Sequence, residues 1–147
     1  MNSKLSAKIT LLCSRLLCIV IGVLFFTLPK IMAFFQNIHP LIWQARLAVL
    51  FGFYCCEPII LYAQWCIDRL VGNILKDLVF VTDNIRFLRR IRWCCAGVGG
   101  ICLGSGLLYP PLLFLAMIMA FLALTVSVVK NVMAAAVEIR EENDLTV

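Results

Sequence analysis

The sequence predicts an all-α integral membrane protein, a four-transmembrane-helix bundle with a short cytoplasmic amphipathic helix before span three. Of its 147 residues, 63% are hydrophobic and 14% are charged, whereas about 25% of residues in soluble domains are charged. The mean hydropathy is +1.01. A membrane-spanning helix needs about 20 mostly apolar residues, so the chain has room for four spans in a single membrane domain (1–147).

Four apolar blocks are predicted as the spans, at about residues 11–35, 47–67, 93–108 and 112–133. The first block is expected to be a membrane span and not a cleaved signal peptide, because its apolar run is long and no small-residue cleavage site follows it. Trp43 and Trp65 flank the second, as aromatic residues do at membrane interfaces. The third ends at the Tyr-Pro-Pro sequence beginning at Tyr109, because proline cannot extend a helix.

The positions of lysine and arginine predict the orientation of the chain. Four spans place eleven of the 13 basic residues on one side of the membrane and only Lys30 and Arg46 on the other. Because basic residues favour the cytoplasmic side, both termini, a loop at 68–92 and a tail at 134–147 are predicted to be cytoplasmic. The net charge of +5 is therefore explained by topology better than by a nucleic-acid-binding surface, and no direct nucleic-acid partner is expected.

The cytoplasmic loop is longer than a plain connector. Thr82 is predicted as a helix N-cap, with Asp83 in the favourable first turn. Apolar residues recur every three positions, opposite basic ones, at Ile85, Leu88 and Ile91. Two interpretations stay open, namely a basic amphipathic helix at the inner interface and a basic flank that stops transfer.

Two cytoplasmic motifs carry a family resemblance. "VFVTDNIRFLRRIRW" at Val79–Trp93 and "EIREENDLTV" at Glu138–Val147 resemble the bacterial membrane family of the domain of unknown function 2975. The positions that fit its pattern are Phe80, Thr82, Asp83, Asn84, Leu88, Arg89, Arg90 and Ile91. The resemblance implies a small bacterial inner-membrane protein, often encoded beside a small helix-turn-helix regulator, with no established activity.

No cofactor or metal site is predicted. The eight cysteines include no C-x-x-C motif, and helix neighbours such as Cys55–Cys56 and Cys94–Cys95 point about 100° apart, so neither pair can bind one metal ion. They are expected to be small apolar core residues. His39 is the single histidine, which excludes a bis-histidine haem site within one chain. Because no nucleophile–base pair is present, an enzyme is the weakest class.

A glycine-rich segment lies in the third predicted span. "GVGGICLGSG" lacks the preceding strand and the spacing of a phosphate-binding loop. Ala96, Gly100 and Gly104 instead recur every four residues, and this small-residue stripe predicts a groove for close helix packing. The neighbour in the groove is either another helix of the bundle or a second copy of the chain in a homo-oligomer.

Glu57 is the one acid predicted at the middle of a span. A charged carboxylate there costs about 2.5 kcal/mol or more, which makes it a candidate functional site. Pro58 leaves the carbonyl of Phe53 or Tyr54 without its usual donor. The structural alternative is a protonated Glu57 that donates a hydrogen bond to that carbonyl, to Ser105 or to Thr27.

The last span is predicted to continue as helix through Lys130–Glu142, because alanine and glutamate favour helix and no Gly or Pro intervenes. Acids at a helix C-terminus oppose its dipole, and arginine holds carboxylates in bidentate pairs. We therefore expect an acidic tail to pack against a basic cluster as a cytoplasmic docking face. The tail comprises Glu138, Glu141, Glu142 and Asp144, and the cluster comprises Arg86, Arg89, Arg90 and Arg92. The alternative is a solvated tail.

Two function classes follow from these features. In the first, the protein is a membrane-held regulatory or interaction partner of a cytosolic helix-turn-helix regulator. In the second, it is a transport or immunity-type membrane bundle that handles an ion, lipid or peptide. The expected partners are the lipid bilayer and, for the first class, a small DNA-binding regulator on the cytoplasmic side.

Overall fold

The computed structural model describes residues 3–38, 42–76, 78–79 and 81–145. These residues form four helices and no strand, which confirms the all-α prediction. The helices are α1 (Ser3–Ile38), α2 (Trp43–Leu75), α3 (Thr82–Gly106) and α4 (Pro111–Leu145).

Three of the helices are long and apolar enough to cross a membrane, over Lys8–Phe34, Trp43–Leu75 and Pro111–Asn143. Helix α3 is not among them, because its first turns carry the basic cluster. Its uncharged part after Arg92 has about 14 residues, or ~21 Å of helix, against a hydrocarbon core of ~30 Å. The three apolar helices indicate a multi-pass membrane protein, and the count of four spans stays a prediction.

The outer surfaces of α1 and α4 are apolar. Only 6% of the residues in the most apolar stretch of either helix are buried, against 28% in α2. Large side chains such as Phe26, Phe114 and Phe121 are exposed. Large exposed apolar surfaces mark contact with lipid or with another protein. The exposed faces of α1 and α4 are therefore those expected of helices surrounded by bilayer.

The bundle is open. Helix α1 packs on α2, α2 on α3 and α3 on α4, and no other pair of the described helices makes contact. Its small apolar core lies along α3, between α2 and α4, at Cys56, Val98, Cys102 and Ala116. Helices α1 and α4 therefore form the edges of a row, and each packs against one neighbour.

The segment predicted as a cytoplasmic loop is mostly helical, because α2 continues to Leu75 and α3 begins at Thr82. No separate amphipathic helix is present among the described residues, and the amphipathic stretch forms the first turns of α3. Asn84 closes the turn between the helices. It is 0% exposed, its Nδ2 donates to the carbonyls of Leu78 and Val79 at 2.8 Å, and its Oδ1 accepts from Asn73 Nδ2 at 2.8 Å.

The ends of α3 are set by different interactions. The N-cap is Val81, one residue earlier than the predicted Thr82, and it has no side-chain capping bond. Asp83 lies in the first turn as predicted. At the other end, a Cβ added to Gly106 would lie 2.6 Å from Leu113 Cδ2 and 3.0 Å from its backbone nitrogen, so any larger residue there would force Leu113 to move. Pro111 then occupies the first position of α4, where its missing N–H costs nothing.

Candidate functional site

Glu57 lies in the middle of α2, among the apolar residues of a helix that is long enough to span a membrane. Its side chain is only 5% exposed. Oε2 is buried and has no hydrogen-bond partner among the described residues. Buried polar groups are nearly always hydrogen-bonded, so an unpartnered one calls for a specific explanation.

Glu57 lines a groove between α1 and α2. This Glu57 groove has a volume of about 410 Å³ and is otherwise lined by Gly22, Phe25, Phe26, Tyr54, Pro58 and Leu61. Phe25 packs edge-to-face against Tyr54, with ring centroids 5.1 Å apart. The Tyr54 hydroxyl donates to the carbonyl of Phe25 at 3.4 Å. The groove is thus an aromatic, apolar site with a single carboxyl group.

The structure does not bring the predicted side-chain partners to Glu57 Oε2. The Thr27 hydroxyl donates to the carbonyl of Val23 in its own helix at 2.8 Å. Ser105 lies against Gly52 instead, where an added Cβ would be 3.1 Å from Ser105 Oγ. These two contacts therefore do not support the interpretation of Glu57 as a hydrogen-bonded structural residue. Glu57 Oε2 is left without a hydrogen-bond partner among the described residues.

A polar network that the sequence reasoning missed joins α1 to α2 beside this groove. Gln64 Nε2 donates to the Ser14 carbonyl at 3.0 Å and also to Ser14 Oγ. Ser14 Oγ in turn donates to Asp68 Oδ1. The available signal was the spacing of Glu57, Gln64 and Asp68, which are seven and four residues apart and so share one face of α2. The network fixes the two helices that form the groove.

The small-residue stripe does not pack inside the chain. Ala96, Gly100 and Gly104 are exposed, and a Cβ added to either glycine would meet nothing within 4 Å. The close approach to α4 is made at Gly99, whose added Cβ would be 3.4 Å from Met119 Cβ. Of the two predicted neighbours, another helix of the bundle is therefore not found at these glycines among the described residues, and a second copy of the chain stays a prediction.

The basic cluster lies near the start of α3. Arg86, Arg89 and Arg90 are exposed, and Arg92 is half-buried. Arg92 stacks over the Trp93 ring, with its guanidinium carbon 5.3 Å from the ring centroid. Arg86 pairs with Asp83 in its own helix at 3.3 Å, and both side chains are well exposed.

The acidic tail is the end of α4, which continues as a helix to Leu145 as predicted. Glu138, Glu141 and Glu142 are exposed, and the side chain of Asp144 lies outside the described residues. Helices α3 and α4 are antiparallel neighbours, so this end of α4 lies at the same end of the molecule as the basic cluster.

The register of α3 against α4 limits which residues of the cluster and the tail can meet. Gly106 faces Leu113 and Gly99 faces Met119, and the same antiparallel register places Arg89 level with Lys130. Glu141 is then about 11 residues further along α4, or ~16 Å of helix. By this register Arg89 and Glu141 are offset along the two helices, and the packing of the acidic tail against the basic cluster stays a prediction.

The cysteines are free thiols, and Cys56, Cys66, Cys94 and Cys102 are buried as predicted for core residues. Cys18, Cys55 and Cys95 are half-buried, and Cys13 is exposed. Within the described part of the chain, no group of three or more His, Cys, Asp or Glu side chains could hold a metal ion. His39 lies outside the described residues.

The comparisons with known proteins give one result. A family model described as "Protein of unknown function (DUF2975)" matches residues 31–147. No curated protein and no solved structure matches the chain. The matched residues include the end of α1, all of α2, α3 and α4, and both of the motifs that carry the resemblance. The chain belongs to the family of the domain of unknown function 2975.

Proposed function

We propose that the protein is a membrane-held interaction partner of a cytosolic regulator. The observation that carries this proposal is that most of the segment predicted as a loop (68–92) is helical, as the end of α2 and the first turns of α3. The hairpin closed by Asn84 presents the exposed arginines of the basic cluster on an ordered surface. An ordered surface loses less conformational freedom on binding than a flexible loop does, which favours recognition.

The proposed orientation in the bacterial inner membrane has four crossings, with both termini in the cytoplasm. Helix α3 packs against both α2 and α4. If α2 and α4 cross the membrane in the same direction, α3 carries the chain back between them. The charge bias supports this orientation, since the positive cluster and most other basic residues then lie on the cytoplasmic side.

The last helix extends the proposed docking face. Helix α4 has 35 residues, or ~52 Å of helix, whereas the hydrocarbon core is ~30 Å thick. Its C-terminal turns therefore extend beyond the core. Val137 is buried there, and α4 contacts only α3 among the described helices, so α4 is packed on α3 as far as this residue, and its described side chains beyond it are exposed.

The charge of the surface suggests the chemistry of the partner. The exposed arginines attract an acidic patch, and complementary charge raises association rates and selects partners. The family resemblance implies a small helix-turn-helix regulator as that partner. In this proposal the membrane protein holds the regulator at the membrane and keeps it from its DNA.

Co-purification tests the proposal with the full chain. A tagged protein, solubilised from cells that also express the helix-turn-helix regulator that the family resemblance implies, should retain that regulator. The triple variant Arg86→Glu, Arg89→Glu, Arg90→Glu should lose the regulator. The variant Lys30→Glu should retain it, because Lys30 is predicted to lie on the other side of the membrane from the basic cluster. Equal retention by the triple variant, or no retention by the wild type, would overturn the proposal.

A transport or immunity-type bundle is the second candidate function, and the unpartnered Oε2 of Glu57 favours it. A carboxyl group inside a membrane span is typical of ion and proton pathways. Proteoliposomes containing the wild type should then carry a cation flux that Glu57→Gln abolishes. An identical flux through the two proteins would reject this candidate.

A further inference from the structure

We propose that the Glu57 groove binds a hydrophobic organic ammonium ion, with the Glu57 carboxylate as its counter-ion. The proposal is independent of regulator docking. If the transport candidate is correct, it names the chemical class of the cargo.

The first support is the unpartnered acceptor. Glu57 is more than nine-tenths buried, and its Oε2 has no hydrogen-bond partner among the described residues. A carboxylate in an apolar site is stable only when it is paired and hydrogen-bonded. An ammonium group supplies both requirements, because its N–H bonds donate to the oxygen and its positive charge balances the carboxylate.

The second support is the aromatic lining. Phe25, Phe26 and Tyr54 line the groove together with Glu57. Cations are attracted to the faces of aromatic rings within about 6 Å, most strongly where water is excluded. The Tyr54 hydroxyl is already bonded to the Phe25 carbonyl, so its ring is held in place.

The third support is the space available and the character of its walls. A groove of about 410 Å³ lies within the size range of small-molecule sites. Apolar walls at Gly22, Pro58 and Leu61 favour a hydrocarbon body over a hydrated ion. A divalent metal ion needs several oxygen ligands, whereas Glu57 is the one acid among the described lining residues.

The groove also has an open wall through which a ligand can enter. A Cβ added to Gly22 would meet nothing within 4 Å, and the neighbouring lining residue Phe26 is 78% exposed. Helix α1 contacts only α2 among the described helices, so no third helix covers the groove there. A hydrophobic amine that partitions into the bilayer reaches Glu57 from the lipid side.

The test measures binding of tritiated 2-phenylethylammonium to the full-length protein in lipid nanodiscs, with empty nanodiscs subtracted. Saturable binding is expected. Glu57→Gln should weaken it by about tenfold or more, because it removes the charge and leaves the shape. Gly22→Leu should weaken it similarly by filling the open wall. Glu141→Gln is the matched control, an identical substitution at the exposed end of α4, and should bind as wild type.

Competition separates the charge from simple partitioning. Unlabelled 2-phenylethanol has nearly the same shape without the positive charge and should compete at least about tenfold more weakly than the amine. Lack of saturable wild-type binding, equal affinity in Glu57→Gln, or equal competition by the alcohol would each overturn the site. Failure here is distinct from failure of the docking proposal, because regulator co-purification is measured separately.

Discussion

The side-chain amide of Gln64 in α2 donates a hydrogen bond of 3.0 Å to the backbone carbonyl of Ser14 in α1. The two residues are 50 positions apart in the chain, and both are buried. Between membrane helices there is no hydrophobic driving force of the kind that acts in water, so interhelical hydrogen bonds and close packing hold them together. This contact therefore stabilises the α1–α2 pair that forms the Glu57 groove.

Gln64→Leu should lower the stability of the protein by about 1 kcal/mol, the size of an interhelical hydrogen bond in membrane proteins. Thermal unfolding in a mild detergent, followed by circular dichroism, measures the change. The matched control is Gln44→Leu, since Gln44 lies exposed near the start of the same helix. A melting temperature lowered equally in both variants would show that the Ser14 contact contributes nothing specific.

Asn84→Ala should loosen the turn between α2 and α3. The substitution removes three hydrogen bonds at a fully buried position and leaves the carbonyls of Leu78 and Val79 without this donor. The expected cost is about 2–3 kcal/mol. Trypsin cleavage after Lys76 should become faster than in the wild type. Asn131→Ala, at an exposed position of α4, should leave the cleavage rate unchanged, and equal rates in all three proteins would contradict the role of Asn84.

Two glycine substitutions near the end of α3 should have opposite effects. Gly106→Ala forces a Cβ to within 2.6 Å of Leu113 Cδ2 and 3.0 Å of the Leu113 backbone nitrogen, so it should destabilise the turn by about 1–3 kcal/mol. Gly104→Ala meets no atom within 4 Å and should be neutral or stabilise the helix by up to ~1 kcal/mol.

Thermal unfolding of the two variants distinguishes the effects, and their order should hold in more than one detergent. A destabilising Gly104→Ala would indicate that a second copy of the chain packs against the small-residue stripe. Sedimentation equilibrium of the variant and the wild type would then show whether the oligomeric state has changed.

The orientation is tested with reporter fusions. An enzyme reporter active only in the cytoplasm should be active when fused after Val147 or near Lys76, because the basic residues keep those segments inside. A reporter inserted in the "FQNIHP" sequence should be active only outside. A C-terminal fusion that is active only outside would reject the four-span arrangement.

Charge reversal tests the register of α3 against α4. Because Arg89 and Glu141 are separated by ~16 Å along the helices, Arg89→Glu should not change the rate at which a protease removes the end of α4. Adding Glu141→Arg to the same protein should likewise leave the rate of proteolysis at the wild-type value. A faster rate in the single variant that returns to the wild-type value in the double variant would show that the sequence prediction of direct pairing was right.

Local sequence features determined the helical fold, the break before α4 and the continuation of α4 into its acidic end. The long apolar runs predicted helices, and the two adjacent prolines placed the break between the third and fourth blocks near Tyr109, close to the observed end of α3 at Gly106 and the start of α4 at Pro111. Likewise, the run of good helix formers after Lys130 was enough to predict that α4 continues to its acidic end. The two motifs at Val79–Trp93 and Glu138–Val147 were enough to identify the family.

Only the tertiary structure decided which face each helix turns to its neighbours. The four-residue spacing of Ala96, Gly100 and Gly104 is compatible with packing, yet Gly99 makes the contact with α4. The rotation of α3 depends on two neighbours at once, and no local pattern contains that information. The tertiary structure also decided that Glu57 Oε2 has no hydrogen-bond partner among the described residues and that Gln64 donates to Ser14. Whether a polar side chain is partnered depends on residues distant in the chain, and folding brings those residues together.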